Sequence, residues 1–204
     1  MKTIPCPLAC RWLRGFAAVC TLLLLPGAAC ADDKLWALLK SGGHVILMRH
    51  ALTTPGVGDP PGMRLDDCAT QRNLSDEGRR DAALIGEAFR ERGIPVGKLL
   101  SSPWCRCIET ATLVFGRPPE VSQPLSNLFG RPENHEKQVR AMRKLVGAKP
   151  AKGNLVLVSH GSTISALTGV ALAQGEFAVV TPAGSGKFTV AGRLSPDSPQ
   201  PKRQ

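Results

Sequence analysis

Arginine and histidine side chains follow three apolar runs of the sequence. Arg49 and His50 come at the end of the first run, Arg106 comes soon after the second, and His160 directly follows the third. A guanidinium pairs with phosphate oxygens through planar sets of hydrogen bonds, and a neutral imidazole is a nucleophile near neutral pH. These residue types favour phosphoryl transfer, and no glycine-rich phosphate loop, metal-spaced cluster or serine elbow competes with them in the sequence.

Three strands must position these side chains. The apolar runs cover residues 44–48, 97–101 and 154–159, and short runs of this kind are typical of buried parallel strands. In such sheets the ligand lies beyond the carboxyl ends of the strands, so we expect the four side chains at one edge. A helix predicted from about residue 162 would begin beside Gly161, and the N–H groups of its first turn favour an anion.

Helical patterns alternate with these strands. The patterns predict helices over residues 33–41, 75–93, 104–116, 136–147 and 162–170, and a closing strand pair over residues 177–181 and 187–193. The second helix has a predicted apolar stripe of Leu84, Ile85, Ala88 and Phe89. The alternation predicts an α/β fold, a three-layer α/β/α sandwich around a mostly parallel sheet.

A long segment rich in proline, glycine, threonine and aspartate separates the first strand from the second helix. It covers residues 51–74, and a loop of that length in a compact domain is usually functional. Thr53 in this loop would contact phosphate or cap a turn. Arg72 would add a third guanidinium or remain a solvated loop residue.

The first 31 residues have the pattern of a secretory signal. Three basic residues and no acidic residue precede an apolar stretch over residues 15–25, and Ala29-Cys30-Ala31 is the predicted cleavage tripeptide. The stretch is too short for a membrane span, which needs about 20 apolar residues. A lipid-modified Cys30 is the alternative to cleavage after Ala31.

Removal of this leader would change the composition of the chain. The full sequence has 204 residues, a formal net charge of +10 and seven cysteines, whereas residues 32–204 would have a charge of +7 and three cysteines. The sequence predicts a periplasmic or otherwise exported domain over residues 32–194 and a flexible tail over residues 195–204, without stable membrane insertion. The positive charge is too dispersed along the sequence to indicate nucleic-acid binding.

Four segments resemble motifs of one family, and they occur in the family's order. They are residues 47–53 (LMRHALT), 73–79 (NLSDEGR), 101–111 (SSPWCRCIETA) and 156–161 (VLVSHG). This ordered set resembles the histidine phosphatase (phosphoglycerate mutase-like) superfamily, including its envelope-associated members. The resemblance implies a phosphoglycerate mutase-like fold.

The resemblance also implies a role for each of the four side chains. His50 would be the nucleophile and form a phosphohistidine, Arg49 and Arg106 would hold the phosphate, and His160 would stabilise the charge on the transferred group. Water would then release phosphate, so that a phosphomonoester is hydrolysed without metal or other cofactor. The implied substrate is a phosphorylated small molecule or an envelope glycan. The alternative is a catalytically weak phosphate- or polyanion-binding protein of the same fold.

The sequence departs from the family pattern at the acid that protonates the leaving group. Asn127 stands where one branch has a glutamate, and Gly161 stands where the other branch has an aspartate; Ala51 also replaces the usual glycine after the nucleophile. Other carboxylates that would substitute are Asp66, Asp67, Glu109 and Glu133, and spacing favours none of them. Glu109 lies one helical turn from Arg106, so we expect an orienting ion pair between them in preference to an acid role.

Three cysteines follow the predicted leader. In an oxidising compartment Cys68 is expected to form a disulfide that ties the 51–74 loop over the site. We favour Cys105 as its partner, which would leave Cys107 buried, and the pair Cys68–Cys107 is the alternative.

Overall fold

The computed structural model describes residues 27–195. The first 26 residues of the predicted leader and residues 196–204 of the predicted tail lie outside the described residues. None of the described helices is long and apolar enough to cross a bilayer.

Five helices and six strands follow one another in an order close to that predicted. The helices are α1 Gly27–Ser41, α2 Asp76–Glu91, α3 Cys105–Phe115, α4 His135–Gly147 and α5 Gly161–Thr168. The strands are β1 Val45–Arg49, β2 Val96–Ser101, β3 Glu120–Val121, β4 Asn154–Ser159, β5 Phe177–Gly184 and β6 Lys187–Leu194.

All six strands form one sheet with the order β3-β2-β4-β1-β5-β6. The pairs among β3, β2, β4 and β1 are parallel, whereas β5 joins β1 and β6 in antiparallel orientation. The mostly parallel sheet predicted from the sequence is therefore confirmed, and so is the closing strand pair.

Alternating residues of β1 face two separate cores. Ile46 and Met48 pack in the core that contains the buried faces of α1, α2 and α3. Val45 and Leu47 pack in the core that contains the buried faces of α4 and α5. Each fully buried side chain of this size contributes about 1.5–3 kcal/mol to folding, so both cores stabilise β1 and the residues that follow it. This arrangement confirms the three-layer sandwich.

Three details differ from the sequence-based predictions. Helix α1 begins at Gly27, within the predicted leader, and of its residues from 31 onward Leu35 and Leu39 are the buried ones. Strand β3, with two residues, was too short for a periodic signal. In α2, Leu84 is 60% exposed, because the buried face is formed by Ala82, Ile85, Gly86 and Phe89. A Cβ on Gly86 would lie 2.5 Å from the carbonyl oxygen of Val114, so this face crosses α3 closely.

The 51–74 loop is fastened at both ends and in its middle. Thr53 forms a bridge with Leu74 at its base, and the Ser75 hydroxyl caps α2 by accepting from the N–H of Gly78 (3.0 Å). A disulfide joins Cys68 to Cys105, with the Cα atoms 5.8 Å apart, which confirms the pairing favoured from the sequence. Cys107 is a buried free thiol.

Candidate active site

The register of the parallel strands brings the two histidines together. Arg49 of β1 pairs with Ser159 of β4, so the residues that follow them, His50 and His160, leave the sheet side by side. The N–H of His50 donates to the carbonyl oxygen of Ser159 (3.0 Å). The two imidazole ring centroids are 5.5 Å apart.

His50 is held as a neutral imidazole. Its side chain is buried, and its Nδ1–H donates to the carbonyl oxygen of Ala51 (2.9 Å). Because that carbonyl only accepts, the proton is on Nδ1 and the lone pair is on Nε2. Burial, together with the nearby charges of Arg106 and Arg49, lowers the pKa of His50 to about 3, although the Ala51 hydrogen bond acts in the opposite direction.

His160 is also buried and neutral. Its Nδ1 lies 3.4 Å from Nη2 of Arg106, a group that only donates, so Nε2 carries the proton and donates to Oγ of Ser102 (2.8 Å). Burial holds the pKa of His160 well below 6.5, and the charge of Arg106 acts in the same direction. A phosphate dianion bound beside it would raise that pKa and favour the charged donor form.

Arg106 is paired with Asp59, a carboxylate that no sequence pattern predicts as a site residue. Its Nη1 and Nη2 donate to the two carboxylate oxygens of Asp59, at 2.5 and 3.2 Å. Asp59 also accepts from Nε1 of Trp104 (3.0 Å) and from the N–H of Arg72 (3.2 Å). Asp59 stands between Gly58 and Pro60 in an irregular loop, so no periodicity or motif marked it.

Three arginines of the site have donors without a partner. The Nε atoms of Arg49, Arg72 and Arg106 are buried and make no hydrogen bond within the part of the chain that the structure describes. The other bonds of these side chains hold them in place: Nη1 of Arg49 donates to the carbonyl oxygen of Leu172 (2.7 Å) and Nη1 of Arg72 donates to that of Gly56. Buried donors normally have a hydrogen-bond partner, so three unpaired N–H donors in one cleft indicate an anion site.

A cleft of 650 Å³ connects these groups to solvent. It is lined by both histidines and all three arginines, and also by Thr53, Gly161, Asn127, Glu77 and Phe129. The Thr53 hydroxyl accepts from Nε2 of Gln174 (3.1 Å). Gly161 leaves room for Arg49, and Arg72 lies in the wall as a third guanidinium.

Glu109 lies outside the walls of this cleft. Its carboxylate accepts from Nε of Arg79 at 2.6 Å, so the ion pair expected with Arg106 is replaced by one with Arg79. The helical spacing was suitable, but the Arg106 side chain points towards the Asp59 loop.

The other carboxylates considered for the acid role also lie elsewhere. Asp66 and Asp67 pair with Arg64, and Glu133 accepts from the amide of Asn134 (3.0 Å). Glu77 is the one carboxylate among the lining residues.

Asn127 faces the cleft at the place predicted for the acid. Its Oδ1 accepts from the Ser162 hydroxyl (2.9 Å) and from the N–H of Phe129 (3.1 Å). An amide held in this way offers no carboxylic proton. Among the described residues no group of three or more histidine, cysteine, aspartate or glutamate side chains is placed to hold a metal ion.

Three solved structures similar to this one are all phosphatases. The protein histidine phosphatase SixA, complexed with tungstate, has a TM-score of 0.56 at 18% identity and covers 75% of this chain and 97% of its own. Phosphoserine phosphatase from Entamoeba histolytica has a TM-score of 0.55 at 14% identity, with coverages of 74% and 96%. A mycobacterial glucosyl-3-phosphoglycerate phosphatase has a TM-score of 0.53 at 17% identity, with coverages of 74% and 98%. At these identities the likeness shows the fold.

Residues 45–133 match the model of the histidine phosphatase superfamily (branch 1). The matched region contains Arg49, His50 and Arg106, and His160 follows it on β4. No curated protein matches the chain significantly by sequence. The match places residues 45–133 in the histidine phosphatase superfamily (branch 1), and the similar fold and the two-histidine site at the strand ends agree with it.

Proposed function

We propose that the protein is an exported phosphatase that hydrolyses phosphomonoesters through a phosphohistidine on His50, without a metal ion. The observation that carries the proposal is the set of three buried, unpartnered guanidinium Nε groups around a neutral histidine pair. Catalysis of phosphoryl transfer needs little besides positioning of the phosphoryl group and stabilisation of the charge on its oxygens. Arg49, Arg72 and Arg106 supply donors for both tasks.

In the first step the Nε2 lone pair of His50 attacks phosphorus. The bond between phosphorus and the ester oxygen breaks, and its electron pair leaves with that oxygen, which takes a proton from water. The Nδ1–H bond to the Ala51 carbonyl stabilises the positive charge that develops on the imidazole. The arginines surround the equatorial oxygens, and His160 takes up a proton from solvent as the dianion binds, so that its Nδ1–H donates to one of these oxygens.

In the second step water attacks the phosphohistidine. The P–N bond breaks, its electron pair returns to Nε2 of His50, and the proton lost by water leaves with solvent or phosphate. The neutral imidazole is thereby restored, in the form that its burial favours. Inorganic phosphate is the product.

Export is supported by two independent features. The first 31 residues have the pattern of a cleaved secretory signal, and the Cys68–Cys105 disulfide is typical of an oxidising compartment. We propose the periplasm or another exported location, where a phosphorylated small molecule or envelope glycan would be the substrate. At the cleft mouth Val57 and Phe129 are 88% and 58% exposed, and they give the leaving group an apolar surface.

The proposal is tested by hydrolysis of an aryl phosphate in the presence of a chelator. We expect turnover by the parent protein and at least a thousandfold loss in His50→Ala, which removes the nucleophile. His135→Ala is the matched control, because His135 lies at the exposed start of α4, and it should keep full activity. Activity that depends on added metal would contradict the mechanism.

One observation favours a second function, a phosphate- or polyanion-binding protein of low activity. Asn127 replaces an acid at the cleft wall, which removes a proton source for poor leaving groups. Equal and negligible turnover by the parent and by His50→Ala, with inorganic phosphate still bound by both, would support this function instead.

A further inference from the structure

The carboxylate of Asp59 is buried against the start of α3, and four hydrogen bonds fix it. One oxygen accepts from Nη1 of Arg106 (2.5 Å) and from the N–H of Arg72 (3.2 Å). The other accepts from Nη2 of Arg106 (3.2 Å) and from Nε1 of Trp104 (3.0 Å). The side chains of Arg106 and Asp59 are only 1% and 9% exposed. Water therefore screens the ion pair little.

This pairing uses one edge of the Arg106 guanidinium and leaves the Nε donor of the other edge without a partner among the described residues. A guanidinium offers donors as an end pair, Nη1 with Nη2, and as a side pair, Nε with Nη2. Asp59 takes the end pair. Nε has no partner among the described residues, and Nη2 lies 3.4 Å from Nδ1 of His160. The side edge is thus turned towards the catalytic histidines.

Asp59 also sets the charge of the site. Arg49, Arg72 and Arg106 bring three positive charges to the cleft, and both histidines are neutral. Burial alone would raise the pKa of Asp59, but hydrogen bonds and charge attraction from Arg106 outweigh this and lower it, so the carboxylate is ionised. The ionised Asp59 offsets one of these three positive charges at the guanidinium it contacts, in addition to the negative charge of Glu77 in the cleft wall. Without Asp59, the excess charge would hold product phosphate more strongly.

We propose that Asp59 is a positioning residue: it fixes the phosphate-binding edge of Arg106 and lowers the charge of the site so that product phosphate dissociates. This inference rests on the proposed phosphatase function. The same loop holds the neighbouring residue from two sides, since Cys105 forms the disulfide with Cys68 and donates its N–H to Oε1 of Gln71 (3.0 Å). The loop thereby orients the first turn of α3 as a unit.

The test compares Asp59→Asn with Asp66→Asn. Both variants remove one carboxylate charge from the same loop, but Asp66 is 85% exposed and pairs weakly with Arg64 at 3.6 Å. Binding of inorganic phosphate is measured by calorimetry, and kcat and KM are measured with an aryl phosphate. For Asp59→Asn we expect phosphate to bind about tenfold more tightly while kcat falls at least tenfold. Asp66→Asn should match the parent in both.

A purely structural role would give a different result, since a disordered Arg106 would bind phosphate more weakly. Weaker or unchanged phosphate affinity in Asp59→Asn therefore overturns the inference. A rise in kcat/KM also overturns it, because Asp59 would then be competing with substrate. Failure of the parent to bind phosphate would instead overturn the proposed function itself.

A second variant separates the effect of charge from the effect of geometry. It also keeps the proposal testable if Asp59→Asn does not fold. Asp59→Glu keeps the charge but displaces the carboxylate by one methylene. It should bind phosphate as the parent does, within about twofold, and still lose kcat. If Asp59→Glu also binds phosphate more tightly than the parent, the tighter binding does not come from the loss of a negative charge. That result would contradict the proposed effect of the Asp59 charge.

Discussion

Gly161 and Arg49 are in contact across the cleft floor: a Cβ on Gly161 would lie 3.1 Å from Nε of Arg49. Gly161 directly follows His160 and begins α5, so a side chain at this position would press on the guanidinium that β1 delivers. The unpartnered Nε of Arg49 is available to a phosphate because residue 161 has no side chain.

Replacement of Gly161 by Ala should therefore weaken phosphate binding without unfolding the protein. We expect KM for an aryl phosphate to rise about tenfold. The added methyl group would push the Arg49 guanidinium away from the phosphate and weaken the charge-assisted hydrogen bond between them. A double-mutant cycle provides the check: in an Arg49→Ala background the same replacement should change KM by less than twofold. An equal effect in both backgrounds would mean that the methyl group acts on something other than Arg49.

We expect Asn127 to determine how strongly the rate of the proposed hydrolysis depends on the leaving group. With an amide at this wall, hydrolysis should fall steeply as the leaving-group alcohol becomes less acidic, because the departing oxygen gets little help from a proton donor. Asn127→Glu should raise the rate for alkyl phosphates at least tenfold and leave that for aryl phosphates within about threefold. The measurement is kcat/KM over a series of phosphate esters. A parallel change for all esters would contradict this account.

The buried neutral histidines should make stability depend on pH. His50 has a folded-state pKa of about 3, and that of His160 is also lowered, whereas an unfolded histidine titrates near 6.5. Below about pH 6.5 the unfolded chain binds more protons than the native protein. The free energy of unfolding should thus fall as pH drops, by up to about 1.4 kcal/mol per pH unit for each histidine.

Denaturant unfolding at pH 5 and pH 7 would measure this slope, with His50→Asn as the reference that lacks one of the two groups. The variant should show a shallower dependence on pH. An equal slope in parent and variant would mean that His50 titrates normally in the folded protein.

The strand ends were predictable from the sequence, whereas the partner of Arg106 was not. Apolar runs that stop at Arg49 and Ser159 define β1 and β4, and the parallel register then places His50 beside His160. Asp59 reaches Arg106 through an irregular loop. The path of that loop depends on tertiary contacts, which a local sequence pattern does not reveal. Leu84 shows the same limit within a helix, because a close crossing with α3 at Gly86 selects the buried face.

The disulfide should contribute both stability and activity. It closes a loop between residues 37 positions apart, and the chain-entropy relation gives about 4 kcal/mol for such a loop. Cys68→Ser with Cys105→Ser should lower the free energy of unfolding by roughly that amount and also raise KM, since Cys105 precedes Arg106. Asp66→Asn, which changes an exposed side chain of the same loop, is the control, and it should leave KM unchanged. A doubly substituted protein with parental KM would show that the loop holds Arg106 without the bridge.

Phosphorylation of His50 during turnover can be detected directly. The protein would be mixed with an aryl phosphate, stopped at alkaline pH to preserve phosphohistidine, digested, and analysed by mass spectrometry. We expect a phosphoryl group on the peptide that contains His50, and none on the corresponding peptide from His50→Ala. Turnover that leaves His50 unmodified at every quench time, with the label on another residue or on none, would contradict the proposed mechanism.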